Sequence, residues 1–138
     1  MRASHAVETT HNTHIVSHSS RWPDDTRSEH NSVSEIDFNG QVVRTFNSQH
    51  NDIGSIQFNW PFYLTLAVNN HVIVADTDNE RIVVLNEDLQ LKRVLISSLD
   101  AQPRRLYFSQ QTGVLFISCA DSSDLCIFKL TDLTQNVL

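Results

Sequence analysis

Apolar and polar positions alternate in short bursts along most of this chain. From His14 onward, apolar runs of about five to seven residues recur, each bounded by Asn, Asp, Ser, Gly or Pro, the pattern of strands separated by turns. The predicted strands are His14 to His18, Val33 to Phe38, Gln41 to Phe46, Phe62 to Val68, His71 to Asp76, Arg81 to Asn86, Leu89 to Ile96, Arg105 to Phe108, Val114 to Cys119 and Leu125 to Leu130. No window sustains a helical period over three turns. Residues 1–12 are polar and without a usable period, so a disordered lead is expected there.

Turn chemistry fits consecutive hairpins. Asn39-Gly40 suits a two-residue type I′ loop because both residues tolerate positive φ. Asn69-Asn70 can serve the same way, and Thr112-Gly113 turns the chain before Val114. The predicted chain is therefore an antiparallel meander.

The meander repeats. Pro61-Phe-Tyr-Leu-Thr-Leu-Ala-Val, Val-Ile-Val-Ala-Asp and Arg81-Ile-Val-Val-Leu are echoed by Pro103-Arg-Arg-Leu-Tyr-Phe, Leu-Phe-Ile-Ser-Cys-Ala-Asp and Cys126-Ile-Phe-Lys-Leu. Asp76 then aligns with Asp121, Ile82 with Ile127 and Leu85 with Leu130, a period of about 45 residues. Upstream, the run from Glu35 to Arg44 aligns with the run from Val84 to Arg93. Three roughly four-stranded units are predicted, over about 13–47, 60–97 and 102–138, the first and last less complete.

On these residues the middle unit resembles an NHL repeat, a β-propeller blade whose pattern is a proline, an apolar strand, V-A-D, a polar turn, N-x-R-I and an outer strand. The matching residues are Pro61, Val74-Ala75-Asp76, Asn79 and Arg81-Ile82. The third unit keeps Pro103, Ala120-Asp121 and Ile127 but has Cys126 in the arginine's place. The first unit resembles such a blade with a polar insertion from Ser19 to Asn31. The resemblance implies an all-β fold of about three four-stranded antiparallel blades, residues 13–138 forming an incomplete NHL-type propeller. One blade cannot bury both its faces, and closed propellers have about four to eight blades. The chain is thus expected to be part of a longer protein, a product that self-associates, or a remnant with exposed flanks.

Composition changes this picture little. The chain has 138 residues, 40% hydrophobic and 19% charged, within the globular range. Its net charge of −6 disfavours nucleic acid as an obligatory partner without excluding a local basic patch. No apolar run reaches the roughly 20 residues of a membrane span, and the amino terminus lacks the apolar core of a signal peptide; a soluble, cytoplasmic protein is expected. The two cysteines, Cys119 and Cys126, have neither scaffold number nor zinc spacing and read as free thiols.

Several motifs invite chemistry. In Asp76-Thr-Asp-Asn-Glu80, side chains at Asp76, Asp78 and Glu80, with Glu87 at the twelfth place, imitate a calcium loop. Arg81, however, occupies the place of the obligatory glycine, and strands flank the loop. The expected role is structural: Asp76 and Asn79 bond turn amides, and Asp76 pairs with Arg81. His11, His14 and His18 suggest a metal, but on a strand His14 and His18 lie about 13 Å apart. No GxSxG elbow, HExxH pair or phosphate-binding glycine loop occurs, so no cofactor, metal or catalytic residue is assigned. Lys92, Arg93, Arg104 and Arg105 hold four of the ten Lys and Arg residues, and with Tyr107, Phe108 and Trp60 they make a candidate RNA face.

The expected function is that of a protein-interaction scaffold. The resemblance to the carboxy-terminal propeller of tripartite-motif NHL proteins implies substrate recruitment in a ubiquitin-ligase context, without ligase activity in this chain. Recognition is expected on loops: Trp22, Asp24 and Asp25, then His50, then Asp121 to Asp124. RNA binding is the alternative, and a propeller hydrolase or lyase the third.

Overall fold

The computed structural model describes residues 2–19, 31–46 and 56–130. Among the described residues, eleven strands form three antiparallel sheets: β1 (Arg2–Glu8), β2 (His14–Ser19), β3 (Ser32–Ile36) and β4 (Val42–Phe46) in the first; β5 (Pro61–Leu66), β6 (Val72–Asp76), β7 (Arg81–Leu85) and β8 (Leu91–Ile96) in the second; β9 (Pro103–Ser109), β10 (Val114–Cys119) and β11 (Leu125–Lys129) in the third. Each sheet is a meander in chain order. The chain is all-β and built as incomplete propeller blades. No helix among the described residues is long and apolar enough to cross a membrane.

The sheets stack face upon face. Ile15, Val33 and Phe46 of the first pack on Leu64, Val72, Val74, Val83 and Leu85 of the second. On its other face, Ile73, Ala75, Ile82 and Val84 pack on Leu106, Phe108, Leu115 and Ile117 of the third. This explains the continuous apolar runs of the middle unit: every residue of β6 is buried, because alternate side chains enter different cores. Each large aliphatic buried in this way contributes about 1.5–3 kcal/mol.

All ten predicted strands are present to within a few residues, and the eleventh corrects the sequence reading. Arg2–Glu8, expected to be a disordered lead, is β1, paired with β2 from Arg2↔Ser19 to Glu8↔His14. Its alternation was hidden because the register shifts between Ala3 and His5, so side-chain parity breaks within seven residues. The first sheet is accordingly complete with four strands, starting eleven positions before the expected residue 13, while the third has three among the described residues.

Two turns also differ from expectation in detail. Asn39-Gly40 is not a two-residue loop; Asp37 to Gln41 form a longer turn in which the Asp37 carboxylate accepts the Asn39 and Gln41 N–H groups, both at 2.9 Å. The same construction recurs at Asn86, whose side-chain oxygen accepts from Asp88 and Gln90. Gly40 (φ +80°) and Leu89 (φ +57°) take the same left-handed place. Asn69 and Asn70 do adopt positive φ, 56° and 58°. Gly113 is required for space as well as for its φ of +70°: a Cβ there would lie 2.9 Å from the Leu130 carbonyl oxygen.

His5 ties the first sheet to the second. Its ring stacks on Tyr63, with centroids 3.8 Å apart, and its Nδ1 accepts the Leu64 N–H at 3.2 Å. Only the ring with Nδ1 unprotonated can accept that bond. Burial, and secondarily the charge of Arg105, lower the His5 pKa below its usual 6.5. The unfolded chain therefore takes up this proton first as pH falls. The His5 contribution to stability is full above about pH 6.5 and declines as pH drops through the window down to the folded-state pKa. Denaturant midpoints between pH 8 and pH 5 should fall, and His5→Phe, which keeps a stacking ring but cannot titrate, should flatten that slope. An unchanged slope in the variant would remove His5 from the account.

Candidate functional site

Among the described residues, the most densely bonded polar site is the turn after β6. A carboxylate at a strand end is stable in a core only if donors surround it, and Asp76, with no exposed surface, has them. Its Oδ1 accepts the Asn59 N–H at 2.8 Å; its Oδ2 accepts Asn79 Nδ2 at 2.9 Å and Arg81 Nε at 2.6 Å. Arg81 and Asn79 also donate to the Gln57 carbonyl, at 2.8 and 3.0 Å. Burial pushes the Asp76 carboxyl up, opposed by Asn79, Asn59 and Arg81.

This turn also reaches the third sheet. Thr77 Oγ1 donates to the Pro103 carbonyl at 2.8 Å, Gln102 Nε2 to Asp78 Oδ1 at 2.9 Å, and the Leu99 N–H to the Glu80 carbonyl at 3.0 Å. Both Asp76 oxygens and Asp78 Oδ1 thus accept from protein donors. Among the described residues, no group of three or more His, Cys, Asp or Glu side chains could hold a metal ion.

The repeat signature is placed as follows. Pro61 opens β5 opposite Asp76 and Pro103 opens β9 opposite Cys119. The register therefore aligns Asp76 with Cys119, and Arg81 with Asp124, rather than with Asp121 and Cys126 as the sequence suggests. The backbone bonds agree: the Thr77 N–H donates to Trp60 O, and the Ala120 N–H to Gln102 O. Asp121 is exposed at φ +56° and does not take the buried carboxylate's place. Ile82, in contrast, is a fully buried core residue. Cys119 is half-buried and Cys126 exposed, both free; burial, then the neighbouring Cys126, raises the Cys119 pKa.

The basic residues are not one surface. Lys92 and Arg104 each sit at a register shift, Lys92 between the pairs Arg93↔Val84 and Leu91↔Leu85 and Arg104 between Arg105↔Ser118 and Pro103↔Cys119, at opposite ends of their sheets. The Arg104 guanidinium lies over the Trp60 ring, 4.6 Å from its centroid, and 5.5 Å from that of Phe62. Trp60 and Phe108 are buried, which leaves Tyr107, 64% exposed, as the accessible ring of the three. Lys92 lines a cavity of about 730 Å³ at the other end of the sheets, with Glu8, His11, Asn69, His71 and Glu87.

Of the loop candidates, Trp22, Asp24, Asp25 and His50 lie outside the described residues. Asp124 is described and exposed, its N–H donating to Ser122 Oγ at 3.1 Å. Sequence reasoning missed His5, Thr77 and the Gln57 to Asn59 segment, which acts through backbone atoms and so leaves no side-chain signature.

Removing either partner of the buried pair should be costly. Asp76→Ala and Arg81→Ala are each expected to lose about 3–5 kcal/mol in urea unfolding, with the double variant losing less than the sum because the two share one interaction. An Arg81→Ala midpoint equal to that of the parent would contradict the assignment.

No protein-family model and no curated protein matches the chain. Solved structures do match it. A protein of unknown function from Bacteroides caccae superposes with a TM-score of 0.59 at 15% identity, over 98% of this chain and 43% of its own. A 6-phosphogluconolactonase-like protein from Bacteroides uniformis gives 0.60 at 14% identity, over 92% and 38%. Virginiamycin B lyase from Staphylococcus aureus gives 0.51 at 10% identity, over 94% and 42%. The chain spans about two-fifths of the length of the structures it matches. At such identities the likeness is one of architecture, and the architecture is that of a β-propeller.

Proposed function

We propose that this chain is an NHL-type propeller segment working as a protein-interaction scaffold, with tripartite-motif-like substrate recruitment in a ubiquitin-ligase context as its setting. The observation that carries the reading is the turn from Asp121 to Asp124. All four of its residues are exposed, yet its base is tied to the second sheet: the Ala120 N–H donates to the Gln102 carbonyl, and the Gln102 side chain donates to Asp78 beside the buried Asp76. A polar loop on a rigid base is the usual form of a recognition element.

RNA binding has less support, because Arg104 is engaged by Trp60 and Lys92 lines the cavity at the other end of the sheets beside Glu8 and Glu87. The fold neighbours favour a second reading, a propeller hydrolase or lyase, since a lyase and a lactonase-like protein are among them.

A photo-crosslinking residue at Ser123 tests the scaffold reading. In cells expressing the chain it should form a discrete adduct with another polypeptide, whereas the same residue at Gln90, on the turn at the opposite end of the second sheet, should not. Adducts only with RNA would favour the alternative, and no adduct at Ser123 would overturn both.

A further inference from the structure

The stacking register shows which surface is unfinished. Ile73, Ala75, Ile82 and Val84 of the second sheet, all fully buried, correspond in register to Phe116, Ser118, Leu125 and Ile127 of the third. There Leu125 is 53% and Ile127 64% exposed, with Tyr107, 64% exposed, beside Phe116 at a ring distance of 6.1 Å. This is the same kind of face without its covering sheet. Contiguous apolar faces of this kind mark interaction sites.

The outward face of the first sheet is the natural complement within the same molecule. By register it presents Ala6, Val16, Ile36 and Val42, the last 61% exposed, with Glu8, His14, Ser32, Ser34 and Thr45 around them. Ser34 and Thr45 already bond each other at 2.9 Å, so each hydroxyl keeps a partner when covered. Charge is complementary as well. The third-sheet face carries Arg105 and Lys129 and no carboxylate from its strands; the first-sheet face carries, among its described side chains, no Lys or Arg, and has Glu8 at its edge, where it also lines the cavity beside Lys92. Glu8 and Lys129 stand at the same end of their sheets, the end of the turns at 9–13 and 110–113.

We propose that the uncovered third-sheet face docks the outward first-sheet face of a second copy of this chain, repeating the stacking that joins its own sheets. The contact is heterologous, and two copies making it twice close a ring of six sheets, within the range of about four to eight for closed propellers. The first-sheet face is the more polar, so the contact is wet at its edges and concentration-dependent. This assembly uses sheet faces and is independent of the loop recognition described above.

Sedimentation equilibrium of the full chain tests it. The parent should form dimers as concentration rises. Ile127→Asp and Val42→Asp, both at mainly exposed positions and each checked for an unchanged circular dichroism spectrum, should each weaken association at least tenfold. Mixing the two variants should restore a dimer, because one contact then joins an unaltered third-sheet face to an unaltered first-sheet face. A parent that stays monomeric across the range would overturn the proposal, assigning the face to a different partner. So would a Val42→Asp dimer as tight as the parent's, which would mean third sheets pairing with each other.

Discussion

Asp76 is the fixed point of this structure. Its carboxylate has no exposed surface, and three donors from Asn59, Asn79 and Arg81 offset its desolvation. Those donors lie on the segment entering the second sheet, on the turn and on the next strand, so one side chain fixes three pieces of backbone. Thr77, Asp78 and Glu80 extend the same turn to the third sheet. A buried charge is weak evidence for net stabilisation by itself; its effect here is to specify how one sheet enters and the next begins.

The third sheet shows what the structure is like without that device. Cys119 and Asp124 stand at the places of Asp76 and Arg81, so no carboxylate and guanidinium close the turn. The turn is held instead through Gln102, which borrows Asp78 of the second sheet. The same sheet leaves its forward face open. A repeat unit that differs from its neighbour in its turn and in its exposed face depends on adjoining units for stability.

Much of this was legible in the sequence. Strands β2 to β11 follow from apolar runs and their bounding residues, and the Asp76 to Arg81 pairing from short spacing across a turn. The misses have physical causes. β1 hides because its register shift breaks the two-residue period that identifies a strand. The alignment of Asp76 with Asp121 follows identical Ala-Asp letters, whereas register is a property of paired strands, and Pro103↔Cys119 places the third sheet two residues away. The run of basic residues reads as a patch in one dimension. In the fold Lys92 and Arg104 stand at opposite ends of their sheets, and Arg104 lies over Trp60.

The class of the fold, its division into sheets and the pairing of Asp76 with Arg81 are written locally, because periodicity, turn residues and charge pairing act over a few neighbouring positions. Only the tertiary structure decided that the amino-terminal segment is a strand, that His5 bonds the backbone of the next sheet, and which face of each sheet is covered. Those outcomes depend on contacts between residues up to about sixty positions apart, such as His5 with Leu64. Each is a matter of which surfaces meet, and the order of letters in a single strand carries no record of its partner.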